Sequence, residues 1–286
     1  YNRADYICDG TNDQQEINRA INEVANAAIN PTQQGVVYLL DGTYNISDAL
    51  LDGMTTKGIV LQSGISLIGA GAGTVLKRAA STITVIVAKG SSSGSPISNI
   101  LISRLNIDGV SSTSGIHFKY VNDSIVDNIW ISGTASGVGL EASLRNLISN
   151  CTLKNGGATG GGVVPAIVLK NDGGSPAIGS RNNIIRHNYI DTWRTGGIYI
   201  AGSCSNNVIS NNSITNCFIG SGVPDSAAID GSGGANIISN NNIYSNNKGG
   251  IWVAGQNCVI SGNNIHDNTG QGIILYRQRP DYNPNH

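Results

Sequence analysis

The sequence predicts an all-β fold, a solenoid of stacked β-coils (a parallel β-helix) that a short N-terminal α-helix caps. Three observations predict it: a repeat of 22 to 29 residues, a composition suited to short strands and turns, and an amphipathic segment near the N-terminus. We expect one domain over residues 1–286, with the cap at about 1–34 and the coils at about 35–278.

The repeat is clearest in the C-terminal half, where four segments align by their Asn and β-branched residues. They are Asn183–Ile190, Asn207–Ile214, Asn236–Ile243 and Cys258–Ile265. Weaker copies occur earlier, at Ile102–Ile107, Val126–Ile131 and Ile148–Leu153. One such unit cannot bury its apolar face alone, so the pattern favours coils that stack on one another.

One position of the repeat changes along the chain from apolar residues to asparagine. It reads Leu105, Ile129, Cys151, Asn188, Asn212, Asn241 and Asn263. Amides stacked at a strand spacing of about 4.8 Å can hydrogen-bond to the coils on either side. We therefore predict a structural ladder of asparagines inside the stack.

Composition excludes several classes of function. With 38 Gly, two Phe and 12% charged residues, the chain suits short strands and tight turns. A net charge of −1 argues against a nucleic-acid partner, and no apolar run approaches the ~20 residues of a membrane span. The five cysteines form no Cys-x-x-Cys pair, so we expect no structural zinc and no other metal or cofactor.

The N-terminal cap is predicted from turn and helix signals. Asp9-Gly-Thr-Asn-Asp13 is typical of a turn, and Ile17, Ile21 and Val24 then share one helical face. A helix over roughly 13–28 would cover the open end of the stack, where the first coil otherwise exposes its core.

These N-terminal residues also carry a family resemblance. Asp9–Asp13, Gly35-Val-Val-Tyr-Leu39 and Asp41-Gly-Thr-Tyr44 resemble the signature of the pectate-lyase-like right-handed parallel β-helix superfamily. Tyr6–Thr11 and the dense Asn-Asn repeats resemble the archaeal disaggregatases within it. The resemblance implies right-handed coils and an extracellular or cell-surface enzyme that degrades a uronate-containing, chondroitin-like matrix glycan.

A second strand in each coil begins near a glycine and alternates inward and outward residues. Loops at 156–165, 193–194 and 218–225 precede these strands and predict a groove suited to an extended polysaccharide. The outward residues that we expect to face this groove are His117, Lys119, Glu141, Lys170, Tyr199, Asp230, Trp252 and Tyr276.

Two cleavage chemistries fit these residues. Hydrolysis needs a protonated and an ionised carboxyl group, about 5–5.5 Å apart for retention and 6.5–9.5 Å for inversion. Asp230 and Asp225 are the best-placed pair, with Asp191 as a substitute, and Glu141 lies about 14 Å from Asp230. We favour hydrolysis by this pair.

Elimination remains open, because it needs a cation for the sugar carboxylate and a base at C5. Lys170, Arg194 and Tyr199 are the candidates, and Glu141 is the further catalytic candidate. For substrate binding we predict sugar stacking on Tyr199 and Trp252 and contacts from His117 and Lys119. Two further substrate-binding candidates are Trp193 and Tyr276, whose rings fit two roles equally: stacking on a sugar or packing against a loop.

A non-catalytic adhesin, spike or surface module is the alternative from another class. It would keep the aromatic residues without needing Asp225, Asp230 or Arg194. The strand Gly272–Tyr276 is followed by no amphipathic cap. We expect either that the chain continues into a further domain or, less favoured, that subunits of an oligomer such as a homotrimer cover this end.

Overall fold

A computed structural model describes residues 5–27, 35–47, 58–79, 84–109, 114–157, 164–218 and 227–276. Within these ranges the chain forms one helix and a stack of short strands in three parallel nine-stranded sheets. The predicted all-β coil architecture with an N-terminal helix is confirmed.

Each coil contributes one strand to each sheet, so the sheets form three faces of the stack. The first sheet contains β1 Gly35–Leu39, β4 Ile65–Gly69, β8 Leu101–Ser103, β12 Ile125–Asp127, β15 Leu147–Ser149, β18 Ile184–Arg186, β21 Val208–Ser210, β24 Ile237–Ser239 and β27 Val259–Ser261. The second contains β2 Gly42–Ile46, β5 Thr74–Arg78, β9 Asn106–Asp108, β13 Trp130–Ser132, β16 Thr152–Lys154, β19 Tyr189–Asp191, β22 Ser213–Thr215, β25 Asn242–Tyr244 and β28 Asn264–His266.

The third sheet contains β3 Ile59–Leu61, β6 Ile86–Lys89, β10 Ser114–Lys119, β14 Ser136–Glu141, β17 Ile167–Lys170, β20 Ile198–Ile200, β23 Ala227–Gly231, β26 Gly249–Val253 and β29 Ile273–Leu275. A small fourth sheet pairs β7 Ile97–Ser98 with β11 Val121–Asn122. In the three-residue strands of the first two sheets from β8 to β25, the central residue points inward and is buried, as Ile131, Ile190 and Ile214 show. The core is therefore a column of aliphatic side chains between the three faces.

The helix α1 spans Gln14–Ala27, close to the predicted 13–28, and buries Ile17 and Ile21. Asp13, just before it, holds a turn to β2, because its carboxylate accepts hydrogen bonds from the Gly10 and Asn45 N–H groups at 2.8 and 2.6 Å. In the described part of the chain, no helix has the length and apolarity of a membrane span.

The predicted asparagine ladder is confirmed at the corner between the first and second sheets. Asn188 donates from Nδ2 to Asn212 Oδ1 at 3.0 Å and to the Ile148 carbonyl at 3.1 Å. Its own Oδ1 accepts the Cys151 N–H at 3.0 Å. The same contacts repeat to Asn241, so each buried amide is satisfied by neighbouring coils.

Two further ladders occupy the other corners and were not predicted. One runs through Asn146, Asn183, Asn207 and Asn236, the other through Cys217, Asn246 and Asn268. The first had a visible signal, since three of its members open the aligned repeat segments.

The backbone conformation at the corners also explains why asparagines occur as doublets. In three doublets the first residue turns the corner in the left-handed region, with φ of 58° at Asn182, 57° at Asn206 and 55° at Asn211. Asparagine tolerates this conformation better than most non-glycine residues. The second residue of these three doublets then enters a ladder.

Candidate functional site

The outward face of the third sheet carries the predicted site residues in two rows that cross the strands. In the first row, His117, Gly139, Val168, Tyr199, Asp230 and Trp252 follow one another in register. The second row starts with Lys89, Lys119, Glu141 and Lys170. Lys89 was not predicted, although the strand that it ends has the same pattern as the strand that ends at Lys119.

The two rows divide this face into a charged half and an aromatic half. The charged half comprises His117, Lys89, Lys119, Glu141 and Lys170, on β6 to β17. The aromatic half comprises Tyr199, Asp230, Trp252 and Tyr276, on β20 to β26 and just after β29.

In the aromatic half, Tyr199, Asp230 and Trp252 occupy three consecutive strands, about 4.8 Å apart. All three side chains are partly buried. The Trp252 ring stacks on the ring of Tyr276, with centroids 5.9 Å apart and 25° between the planes. Tyr276 is 56% exposed, so this pair presents an aromatic surface beside the Asp230 carboxyl group.

Small residues follow the strands of the aromatic half. Ala201 comes after β20, Ser232 after β23 and Ala254 after β26. They stand where the charged half places long lysine and glutamate side chains. The third-sheet face therefore carries shorter side chains beside Asp230 than in the charged half.

Burial raises the pKa of Asp230 to about 6. The hydrogen bonds and ion pairs of the described residues provide no donor or cation for this carboxylate, so nothing offsets its loss of hydration. Burial, with the nearby Asp230 charge, likewise raises the pKa of Tyr199. Asp230 is consequently protonated in mildly acidic solution, as a general acid must be.

Glu141 has the opposite environment in the charged half. Its carboxylate accepts from His117 Nε2 at 3.2 Å and Lys170 Nζ at 2.8 Å, and it pairs with Lys119 as well. Burial acts to raise the pKa of Glu141, but the hydrogen bonds from these three residues together outweigh it and hold the pKa well below its usual range. Glu141 is an anion and is unsuited to donate a proton.

The sheet order separates the two carboxyl groups as predicted. Three strand steps, from β14 through β17 and β20 to β23, lie between Glu141 and Asp230. This spacing is about 14 Å, too far for the pair to act on one bond.

A described loop borders the charged half. The Tyr120 hydroxyl donates to Asp172 Oδ2 at 3.2 Å, and Asp172 Oδ1 accepts the Gly174 and Ile178 N–H groups at 3.1 and 3.0 Å. These bonds hold the turn after β17 beside Lys170, at the end of the third-sheet strands.

The prediction that Trp193 contacts a sugar is wrong. Its side chain is fully buried, and the indole Nε1 donates to the Val164 carbonyl at 3.0 Å. A Cβ at Gly156 would lie 2.2 Å from the ring, so the backbone at Gly156 packs directly on the indole. The neighbouring Arg194 is exposed at the corner that leads into β20.

Of two other candidate carboxylates, one lies outside the described residues and one lies on another sheet. Asp225 and most of the 218–225 loop, like residues 158–163 of the other predicted wall, lie outside the described residues. Asp191 lies on the second sheet, where Tyr189, Thr192 and Asn216 donate hydrogen bonds to it. It is not a substitute partner for Asp230.

One cluster elsewhere has metal-ligand character. Ligand atoms of Cys8, Asp13 and Glu16 lie within 4.8 Å of one another beside the start of α1. Burial raises the pKa of the Cys8 thiol to about 12, and Asp13 already accepts two backbone hydrogen bonds. We assign this cluster to the turn that joins the cap to β2.

The stack of three parallel sheets defines a class, the parallel β-helix proteins. The model of the right-handed β-helix region family matches residues 34–221 and 166–285. The chain belongs to this family. No curated protein matches the sequence.

Among solved structures, the ORF18 protein of Geobacillus virus E2 is similar, with a TM-score of 0.68 and 17% identity over 94% of this chain. This chain spans 58% of that viral protein. An alginate lyase from Paenibacillus sp. FPU-7 has a TM-score of 0.62 and 15% identity, covering 91% of this chain and 97% of the lyase. PfbA, a surface adhesin of Streptococcus pneumoniae, has a TM-score of 0.58 and 13% identity, covering 94% and 91%. These similarities establish the fold alone, since catalysts and an adhesin share it.

Proposed function

We propose that this protein hydrolyses glycosidic bonds of a polysaccharide bound along the third sheet, with Asp230 as the proton donor. The observation that carries the proposal is the Asp230 carboxyl group, partly buried between Tyr199 and Trp252 with no counter-ion among the described residues. A carboxyl group kept protonated near pH 6 beside aromatic surface is what acid-assisted cleavage of a sugar chain requires.

The reaction follows from these positions. A sugar ring stacks on the Trp252–Tyr276 pair, and Tyr199 borders the next sugar along the sheet. Asp230 transfers its proton to the glycosidic oxygen as the bond to the anomeric carbon breaks. A water molecule adds to that carbon and gives up a proton to a second carboxylate, for which Asp225 remains our prediction.

Elimination is the second candidate chemistry, and the contacts of its proposed residues weigh against it. Lys170 lies one strand from Tyr199 but two strands, about 10 Å, from Asp230, so it does not reach the carboxylate of a sugar held beside Asp230. The raised pKa of Tyr199 makes the phenolate a scarce base near neutral pH. We therefore favour hydrolysis.

A non-catalytic glycan-binding module is the alternative from another class. The Trp252–Tyr276 stack supports it as well as it supports an enzyme, and an adhesin shares the fold. The chondroitin-like substrate, the disaggregatase resemblance, the extracellular location and the homotrimer stay predictions.

Product analysis separates the three functions. The protein is incubated with uronate-containing and neutral polysaccharides in ¹⁸O-labelled water, and the products are analysed by mass spectrometry. Hydrolysis gives reducing ends that carry the label, whereas elimination gives unsaturated products lighter by one water. If no polysaccharide in the panel is shortened, the binding module replaces the enzyme.

A further inference from the structure

The charged half holds more cations than its carboxylates neutralise. Lys89, Lys119 and Lys170 share one row with a single acidic residue, Glu141. At its border, the described residues add the carboxylate of Asp172, which accepts from Tyr120 and two backbone N–H groups. Three ammonium groups thus face two carboxylates, and His117 adds a further donor.

The cations are more accessible than the anion that holds them. The side chain of Glu141 is 9% exposed, whereas those of His117, Lys119 and Lys170 are 28%, 25% and 45% exposed. Lys89 is exposed and has no ion pair with a described residue. A ligand that approaches this half meets N–H donors first, because the carboxylate lies beneath them.

Such a surface suits an anion that accepts several charge-assisted hydrogen bonds. The row from Lys89 to Lys170 spans three strand steps, about 14 Å, which is long for a single carboxylate. The side chains lie on the same outward face of the third sheet as Asp230. A polymer with acidic groups along its length fits both features.

We propose that Lys89, Lys119 and Lys170 form a subsite for the carboxylates of an acidic polysaccharide, displaced from the bond that is cleaved. This inference rests on the proposed function, because one chain crosses both halves of the face. Lys170 lies two strands, about 10 Å, from Asp230. The acidic sugar that the lysines recognise is consequently not the sugar that Asp230 protonates.

This displacement distinguishes the two chemistries. Elimination of a sugar held beside Asp230 needs a cation at that sugar's carboxylate, and the three lysines lie about 10 Å or more from Asp230. Hydrolysis needs no charge on the reacting sugar. A substrate with acidic units remote from the cleaved linkage therefore satisfies both halves.

Calorimetric binding to matched glycans tests the subsite. The probes are hexasaccharides of chondroitin, polygalacturonate and alginate, each beside a form whose carboxyl groups are reduced to alcohols. Asp230→Asn protein is used so that the probes stay intact. We expect at least one acidic probe to bind about 10- to 100-fold more tightly than its reduced form at low salt.

Variants locate the interaction. The double change Lys119→Gln and Lys170→Gln should remove most of that preference, and Lys89→Gln should lower acidic-probe affinity about 2- to 5-fold. Lys89 forms no ion pair with any described residue, so a loss of affinity in its variant is not explained by a broken ion pair within the protein. Lys77→Gln, an exposed lysine on the second sheet, is the matched control and should change nothing.

The outcomes are separable from those of the proposed function. Equal binding of acidic and reduced probes, no binding of any acidic probe, or a preference that survives the lysine changes would overturn the subsite. Lysine-dependent binding of an acidic probe that the unaltered protein does not cut keeps the subsite and removes the enzyme. Michaelis constants of the unaltered protein for each probe pair provide the same comparison without the Asp230 change.

Discussion

The coils up to residue 170 and those after residue 180 have the same backbone register but differ inside and outside. At the corner between the first two sheets, the early coils bury Leu105, Ile129 and Cys151, whereas the later coils bury asparagines. On the third sheet, the early coils display the charged half and the later coils display the aromatic half. The same coil accepts either interior and either exterior, so function must be inferred from the outward rows and not from the fold.

The largest expected effect concerns the proton donor of the aromatic half. Asp230→Asn removes the proton and should lower kcat about 10²- to 10⁴-fold. Asp108→Asn, an aspartate on the second sheet, is the matched control and should retain the parent rate. In the unaltered protein, the rate should fall as the pH rises through about 6, where Asp230 loses its proton. A parent-like rate for Asp230→Asn would move the site elsewhere.

The interior difference predicts the next largest effect. Asn212→Ala leaves the Asn188 amide without its acceptor and the Ile185 carbonyl without its donor, at a cost of about 2–4 kcal/mol in the free energy of unfolding. Asn212→Leu, which inserts an apolar residue of the kind used at Ile129, should lose as much, because the neighbouring coils still present amides. Urea denaturation measures both changes. Asn264→Ala, an exposed asparagine on the second sheet, should cost less than about 0.5 kcal/mol.

The two carboxyl groups should affect stability with opposite signs. Glu141→Gln leaves its cations without an anion and should destabilise the protein by about 2–3 kcal/mol at pH 7. Because the folded pKa of Glu141 is lowered, its contribution is present above the unfolded value of 4.5 and is lost as the pH falls through the folded pKa.

Asp230 behaves in reverse, since its folded pKa is raised from 3.8 to about 6. Its neutral form is favoured in the folded state, so stability decreases as the pH rises from about 4 to 6. Asp230→Asn should therefore be about 1–2 kcal/mol more stable than the parent at pH 8 and nearly equal to it at pH 4. Denaturation at the two pH values checks this, and a destabilised variant at pH 8 would contradict the uncompensated burial of Asp230.

The smallest expected effect concerns sugar stacking. Tyr276→Ala and Trp252→Ala should each weaken binding of a carboxyl-reduced oligosaccharide by about 0.5–1.5 kcal/mol, since each removes one ring of the stacked pair. Trp130→Ala, an exposed tryptophan on the second sheet, is the control. Calorimetry that finds the same loss for the control would argue against a sugar contact in the aromatic half.

The fold could be predicted because a coil repeats its constraints. Each inward position recurs every 22 to 29 residues. This spacing is enough to predict that Asn188, Asn212 and Asn241 stack on one another. The alternation within strands also placed Tyr199, Asp230 and Trp252 on one face, and their register confirms that placement.

The candidate site was less predictable. The repeat predicts the face on which a side chain lies, but not the contacts that it makes with side chains of neighbouring coils. The sequence presents Glu141 as a free carboxylate, but three cations from neighbouring strands hold it. Trp193 follows a strand at a corner, where alternation no longer decides orientation, and it turns inward. Whether Asp225 joins Asp230 depends on a long insertion that has no periodic pattern.

The ladders also bear on how such a molecule changes in length. The Asn212 amide accepts from Asn188 in the preceding coil and donates to Asn241 in the following coil. A duplicated unit that carries its own asparagines therefore meets identical neighbours on both sides. Duplication of the unit that carries β20 leaves no orphaned amide at the seam and moves the lysines one step of about 4.8 Å farther from Asp230, whereas loss of that unit brings them one step closer. Gene-level copying of single repeats would thereby change which linkage along an acidic chain the proposed enzyme cuts.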